Sequence, residues 1–253
     1  MLRNISKHNF TGINSKFCLT NGFAQVMYRP PMEINVVKLM GTIEHKVKRL
    51  RNGAIRLFLK TLNEDTSYCV HRVSIANSNL LAMVGNQLAV NKRIYIGGRM
   101  KTENVYIENQ IHQDVEVMAN ELFFLEPNPK VTVESMEKLD ETRPIQPDQN
   151  SIEMLAFIGT EVYNERNICA FSLNTHFTTR RKGMQDESIS RDLHRVLIYN
   201  DPEMLEIGRN LRKHDRVYVN GLINYITKKY PDGKDYTNGH IQPTNLVRLK
   251  KFE

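Results

Sequence analysis

The chain contains an internal repeat, and this repeat limits what it can fold into more than any other feature. His71-Arg72-Val73-Ser74-Ile75-Ala76-Asn77 matches His194-Arg195-Val196-Leu197-Ile198-Tyr199-Asn200 at an offset of 123 residues. The same offset aligns Leu88 with Leu211, and Arg93-Ile94-Tyr95-Ile96-Gly97-Gly98 with Arg216-Val217-Tyr218-Val219-Asn220-Gly221. Elsewhere the offset drifts, as loop insertions make it do: Gly41-Thr42 aligns with Gly159-Thr160, Leu59-Lys60-Thr61 with Leu173-Asn174-Thr175, and Leu122 and Leu125 with Leu246 and Leu249. A length of 253 residues holds two domains of roughly 100 residues plus tails.

Each repeat shows the same order of elements. Partial apolar alternation predicts a first strand over 35–43 and 154–162, each interrupted by a glycine that permits a bend or bulge. Runs rich in β-branched and aromatic residues predict second and third strands over 55–62 and 68–76, and over 168–175 and 193–199. A helix follows. In the second repeat Asp201 caps it and Pro202 opens its first turn, with Met204, Leu205, Ile207, Gly208 and Leu211 on the inner face before Arg212 and Lys213. Fourth strands are predicted over 93–100 and 216–225, and fifth strands over 114–125 and 240–249. Three strands, a helix and two strands is the order of the OB-fold, a five-stranded Greek-key barrel. The expected class is therefore all-β with one short helix per repeat: two tandem barrels, over 33–125 and 151–253. Between them, 126–150 carries Pro127, Pro129, Pro144 and Pro147 with an acidic surplus and reads as an extended, solvated linker.

Charge is informative in its distribution. Residues 1–32 hold Arg3, Lys7, Lys16 and Arg29 with no acid, the linker is net −3, and the remaining segments are each +3, for +7 in all. The acid-free start, with spaced cations among hydroxyl, amide and apolar residues, reads as a mitochondrial transit peptide, which places the protein in the matrix; a disordered basic arm is the alternative. The small surplus on the body argues little for nucleic acid, since phosphate binding depends on local clusters. Cys18, Cys69 and Cys169 lack metal or disulfide spacing, and no apolar run reaches the length of a membrane helix, so a soluble protein of a reducing compartment, not bound to membrane, is expected. No Walker-type, GxSxG or metal-spaced His/Glu pattern is present, so no catalytic residue, metal or cofactor is expected.

The twice-occurring His-Arg-Val-x-Ile run, the strands Arg-Ile-Tyr-Ile-Gly-Gly and Arg-Val-Tyr-Val-Asn-Gly, the downstream Tyr106 and Tyr236, and the upstream Phe58-Leu59-Lys60-Thr61 and Phe171-Ser172-Leu173-Asn174-Thr175 resemble bacterial and mitochondrial single-stranded DNA-binding proteins. The resemblance implies a coat for single-stranded DNA without sequence reading or catalysis, four barrels assembled as a homodimer of this chain, and a place in mitochondrial DNA replication or the nucleoid with the proteins working there. It also implies that His71 and His194 sit near subunit contacts and serve packing rather than catalysis, although an ordinary strand histidine fits them equally. The chain departs from the pattern where relatives often carry Trp, with Val70 and Leu193, and where they often carry an aromatic, with Ala76 in the first repeat and Tyr199 in the second.

Binding of this kind needs cations along a groove and aromatic faces for bases, worth roughly 1–3 kcal/mol per stacked base. The second repeat offers Tyr199, Tyr225 and Tyr230 with Lys228 and Lys229, and a predicted loop carrying Phe177, Arg180, Arg181 and Lys182. The first offers Lys46, Lys48, Arg49 and Arg51 in its first hairpin, with Val105 where stacking is expected, and so reads as depleted in aromatics. Both basic runs also fit solvated turns. Tyr95 and Tyr218 read as barrel-wall or subunit-contact residues. Two alternatives stay open: a protein-interaction scaffold on degenerate barrels, and a binder of single-stranded RNA through the same grooves.

Overall fold

The computed structural model describes residues 33–63, 66–107, 110–125, 147–180, 187–229 and 235–249. The segment read as a transit peptide and most of the linker lie outside them. The described residues form one compact unit.

In the first repeat β1 (Ile34–Ile43) pairs with β3 (Ile55–Leu62) at one end and β5 (Arg93–Ile107) along its length; β3 pairs with β4 (Tyr68–Ile75), β4 runs parallel to β6 (Gln110–Phe124), and β6 pairs with β5. The ring of five strands is closed. A short edge strand, β2 (Lys48–Arg49), adds to β3. The second repeat repeats every pairing with β7 (Gln149–Ile158), β8 (Tyr163–Glu165), β9 (Ile168–Arg180), β10 (Glu187–Tyr199), β11 (Arg216–Lys229) and β12 (Asp235–Arg248). These are two OB-type barrels in tandem. Alternate residues fill each barrel, among them Leu39, Leu57, Ile96 and Val117 in the first and Met154, Leu173, Val219 and Ile241 in the second, all fully buried.

Helix α1 (Ser78–Val84) is capped by Asn77, whose side chain accepts from the amides of Asn79 and Leu80. Helix α2 (Pro202–Arg209) is capped by Asp201, accepting from Met204 N at 3.0 Å. Each follows the third strand of its barrel and buries Leu80 and Val84, or Leu205 and Gly208. Leu211 is buried as expected, but beyond the helix end.

Register corrects part of the sequence alignment. Val37 lies opposite Gly98 and Gly41 opposite Ile94, while Ile152 lies opposite Gly221 and Ala156 opposite Val217. Gly41 is therefore matched by Ala156, not by Gly159. Its glycine is demanded locally, because a Cβ there would stand 2.1 Å from the Lys60 carbonyl oxygen, where β1 crosses β3. The predicted loop after residue 175 is likewise strand: β9 runs on to Arg180 and meets β10 from Glu187. Strand β7 begins at Gln149, within the segment read as linker.

The barrels join edge to edge through β1 and β7, antiparallel from Ile34 opposite Leu155 to Met40 opposite Gln149. Val37 faces Ile152, its own equivalent in the other repeat, so a pseudo-twofold axis passes between them. Contacts between β6 and β12 obey the same axis. Val115 and Gly239 are equivalents, lying opposite Thr102 and Tyr225 of the equivalent strands, and they pack against each other. A Cβ on Gly239 would stand 2.4 Å from Val115 Cγ2. A missing side chain in one repeat thus receives a large one from the other. At the end of the first barrel the Leu125 amide donates to the Arg93 carbonyl, while the Arg93 guanidinium pairs with Asp148, whose other oxygen accepts from Leu62 N.

Gly239→Val should lower stability by roughly 1–3 kcal/mol through overpacking, and adding Val115→Gly should restore part of it. Thermal unfolding of the single and double variants measures both.

Candidate functional site

Where the β3–β4 hairpin of the first repeat faces β11 and β12 of the second, a groove of about 1130 Å³ opens. Leu62 and Tyr68 form one lip, Asp148–Asn150 cross its base, and Tyr199, Tyr225, Ile226 and Gln242 line the far wall. Leu62 and Tyr68 are cross-strand partners at the hairpin's end, which leaves them 54% and 58% exposed. Lys60 Nζ sits 4.0 Å from the centroid of the Tyr68 ring, a cation–π contact that positions both.

The two far-wall tyrosines are held by their hydroxyls. Tyr199 donates to Gln242 Oε1 at 2.9 Å, leaving its half-buried ring on the groove. The Tyr225 hydroxyl reaches into the other repeat and shares a hydrogen bond with His71 Nδ1 at 3.1 Å. Burial first, and then the Cys69 thiol, pushes that hydroxyl well above its usual pKa, so it stays protonated.

His71 and His194 form a matched pair across the axis. His71 Nε2 meets Thr61 Oγ1 at 2.9 Å inside its own barrel, and its other nitrogen meets Tyr225. His194 Nε2 meets Thr175 Oγ1 at 2.8 Å, and its Nδ1 meets Thr102 Oγ1 of the first repeat at 2.6 Å. Each histidine joins its own barrel to the fourth strand of the other, a contact within one chain rather than between subunits. Both are fully buried.

The remaining sequence candidates are distributed as follows. Lys228 and Lys229 are exposed on β11, continuing the strand that carries Tyr225, Ile226 and Thr227 along the groove. Tyr230, Arg181 and Lys182 lie outside the described residues. Phe177 and Arg180 stand on β9, opposite Ser190 and Glu187 of β10. Lys46, Lys48, Arg49 and Arg51 are exposed around β2, and none of them lines the groove. Arg49 has a structural task there, donating to the Gly85 carbonyl at 3.3 Å and to Asn86 Oδ1 at 3.2 Å at the end of α1. Tyr95 and Tyr218 lie at equivalent outer positions of the two barrels, Tyr95 stacked at 5.9 Å on Phe123. The sequence reading overlooked Tyr68, so the first repeat is less depleted in aromatics than expected. Its signal was present in the alternation of β4, where Tyr68 is the outward residue before buried Cys69. Among the described residues no group of three or more His, Cys, Asp and Glu is placed to hold a metal ion.

No protein-family model matches the chain, and no curated protein matches it in sequence. Solved structures do. The wild-type single-stranded DNA-binding protein of Thermus aquaticus superposes with a TM-score of 0.53 at 15% identity, over 87% of this chain and 95% of that one. A deletion mutant of the same protein gives 0.51 and 16%, over 87% and 97%. The likeness is one of fold. It spans both barrels, because a single repeat is too short to supply that coverage.

Burial holds both His71 and His194 down to about 3, with Arg99 adding to the effect at His194. Since their unfolded value is 6.5, the unfolded chain binds protons that the folded chain refuses between pH 6.5 and about 3. Stability is therefore full above that window and falls as pH drops through it, by about 1.4 kcal/mol per pH unit for each histidine. Urea midpoints should fall accordingly on acidification, and His71→Asn should lower the neutral-pH midpoint while flattening the acid slope.

Proposed function

We propose that this chain binds single-stranded DNA without sequence reading and serves mitochondrial DNA replication or maintenance. The observation that carries the reading is the groove between the repeats, where Tyr68, Tyr199 and Tyr225 present rings beside a strand leading to Lys228 and Lys229. Stacked bases and tracked phosphates need this combination, and every base has a π-face, so such a groove tolerates any sequence. The solved proteins of shared fold are named for binding single-stranded DNA, which supports the same conclusion. The mitochondrial assignment rests on the acid-free residues 1–32. Both repeats contribute to the groove, with the larger share from the second.

The active form is a homodimer. Two equivalent rows of side chains lie across the outer face of β6, β5, β1, β7, β11 and β12: Phe123, Tyr95, Met40 and Gln149, and Val247, Tyr218, Leu155 and Ile34. Phe123 is 59% and Val247 42% exposed. A face that carries its own pseudo-twofold axis is suited to an isologous contact with a second copy, giving four barrels.

Oligo-dT should bind with an affinity that falls linearly with the logarithm of salt concentration, and Tyr68→Ala or Tyr199→Ala should weaken it roughly 5- to 100-fold. Fluorescence anisotropy at two salt concentrations measures this, and no binding at low salt defeats the reading. Light scattering should give about twice the 29.4 kDa chain mass, and Phe123→Glu should shift the protein toward monomer.

A further inference from the structure

The two repeats differ sharply on one barrel wall. In the first, Lys48 lies opposite Arg56 and Arg56 opposite Ser74, and the neighbouring β6 brings Asp114 and Glu116 against them. Arg72 pairs with Asp114 at 2.5 Å and Glu116 at 3.6 Å, Arg56 with Glu116 at 3.0 Å, and Ser74 donates to Glu116 at 2.5 Å. The wall is closed by an ionic network.

In the second repeat the equivalent register places Tyr163 opposite Ala170 and Ala170 opposite Leu197, with Asn238 and His240 in place of Asp114 and Glu116. Of the network only the arginine is retained, as Arg195. Among the described residues no carboxylate pairs with its guanidinium. A cavity of about 290 Å³ stands where the network was, walled by Tyr163, Ile168, Ala170, Leu197 and Ile226, with Arg195 and His240 also lining it. His240 is 2% exposed, yet neither ring nitrogen has a hydrogen-bond partner of good geometry. Burial first, then the charge of Arg195, holds His240 down to about 4, against the opposing pull of the Asn238 carbonyl, so its ring is neutral and offers one N–H and one lone pair.

Among the described residues the cavity thus presents a guanidinium fork with no carboxylate paired to it and an imidazole drawn only toward the Asn238 carbonyl, beside apolar side chains and Asn238. In the first repeat the equivalent arginine takes a carboxylate oxygen of Asp114 at 2.5 Å, with Glu116 beside it at 3.6 Å, and a guanidinium fork is best matched by two acceptors side by side. We infer that the cavity takes one extruded guanine base, whose O6 and N7 accept from Arg195 while its faces lie against Tyr163, Ile168 and Ile226. A phosphate would satisfy Arg195 but not the apolar walls. Adenine and thymine set a donor beside each acceptor. Cytosine does carry an adjacent pair, N3 and O2, but its single ring covers less of the apolar wall than a purine does. The inference rests on the single-strand reading for the delivery of the base; the groove, which shares His240 and Ile226 with the cavity, still takes any sequence, and the cavity adds a preference at one nucleotide beside it.

The test compares all-dT oligomers with the same oligomers carrying one central dG, dA, dC or 7-deaza-dG, against the full chain. One dG should tighten binding roughly tenfold, while dA, dC and 7-deaza-dG, which lacks N7, should not, and an equal gain from dC overturns the guanine assignment. Arg195→Lys keeps the charge but loses the fork, so it should bind all-dT as the wild type does and show no gain from dG. Equal affinity for dG and 7-deaza-dG, or a dG gain that survives in Arg195→Lys, overturns the pocket and leaves the DNA-binding reading intact. If all-dT does not bind at all, that reading fails, and the pocket is decided by titrating guanosine monophosphate and following the His240 ring signals by NMR. Shifts with the guanosine and not the adenosine nucleotide, absent from Arg195→Lys, support it, and no shift overturns it.

Discussion

Pairing of β1 with β7 is the constraint on which the rest of this molecule depends. It takes the exposed edge that each barrel's first strand would leave and closes both at once, with backbone hydrogen bonds from Ile34 to Met40. Because Val37 meets its own equivalent, Ile152, the rest of the inter-barrel contact is arranged about that point. The same axis sets Val115 on Gly239 and His112 beside Tyr236, and it aims each buried histidine at the opposite barrel. The groove is a consequence: the β3–β4 hairpin faces the second barrel only because the edges are joined in this register.

Duplication within one chain permits what two identical subunits cannot have, which is inequality across the axis. Tyr225 stands where the first repeat has Thr102, and each is matched to a histidine that suits its length. His240 and Asn238 stand where the first repeat has Glu116 and Asp114. One repeat keeps its ionic wall and with it a closed surface. The other has no acids at these positions, and a cavity opens there.

The fold was legible because its signals are local and occur twice. β-branched runs bounded by turns marked most strands, and Asp201-Pro202 marked a helix start. Less legible was the extent of the hairpins: β9, β10, β11 and β12 run past the apolar core, and on β11 and β12 the exposed Lys228 and Thr237 carry no burial pattern, so cross-strand pairing carries the strands on. The site was readable in part. Tyr199 and Tyr225 were found as aromatics in the more aromatic repeat, but Tyr68 and Arg195 gain their meaning from partners distant in sequence. No spacing rule reveals that Arg72 pairs with acids while Arg195, among the described residues, pairs with none. The glycine alignment at Gly41 and Gly159 failed for a related reason, since backbone proximity to Lys60, and not the residue type, defines the crossing.

Arg93 has a further consequence for how the two halves are tethered. The chain leaves the first barrel at Leu125, bonded to the Arg93 carbonyl, and re-enters at Asp148, paired with the Arg93 side chain. Departure and return are thus anchored to a single residue, and closing a loop whose ends already meet costs only about 0.6 kcal/mol more for each doubling of its length. Lengthening the connection between these two anchored ends should therefore cost little folding free energy, which makes it the place for an inserted tag or a grafted domain.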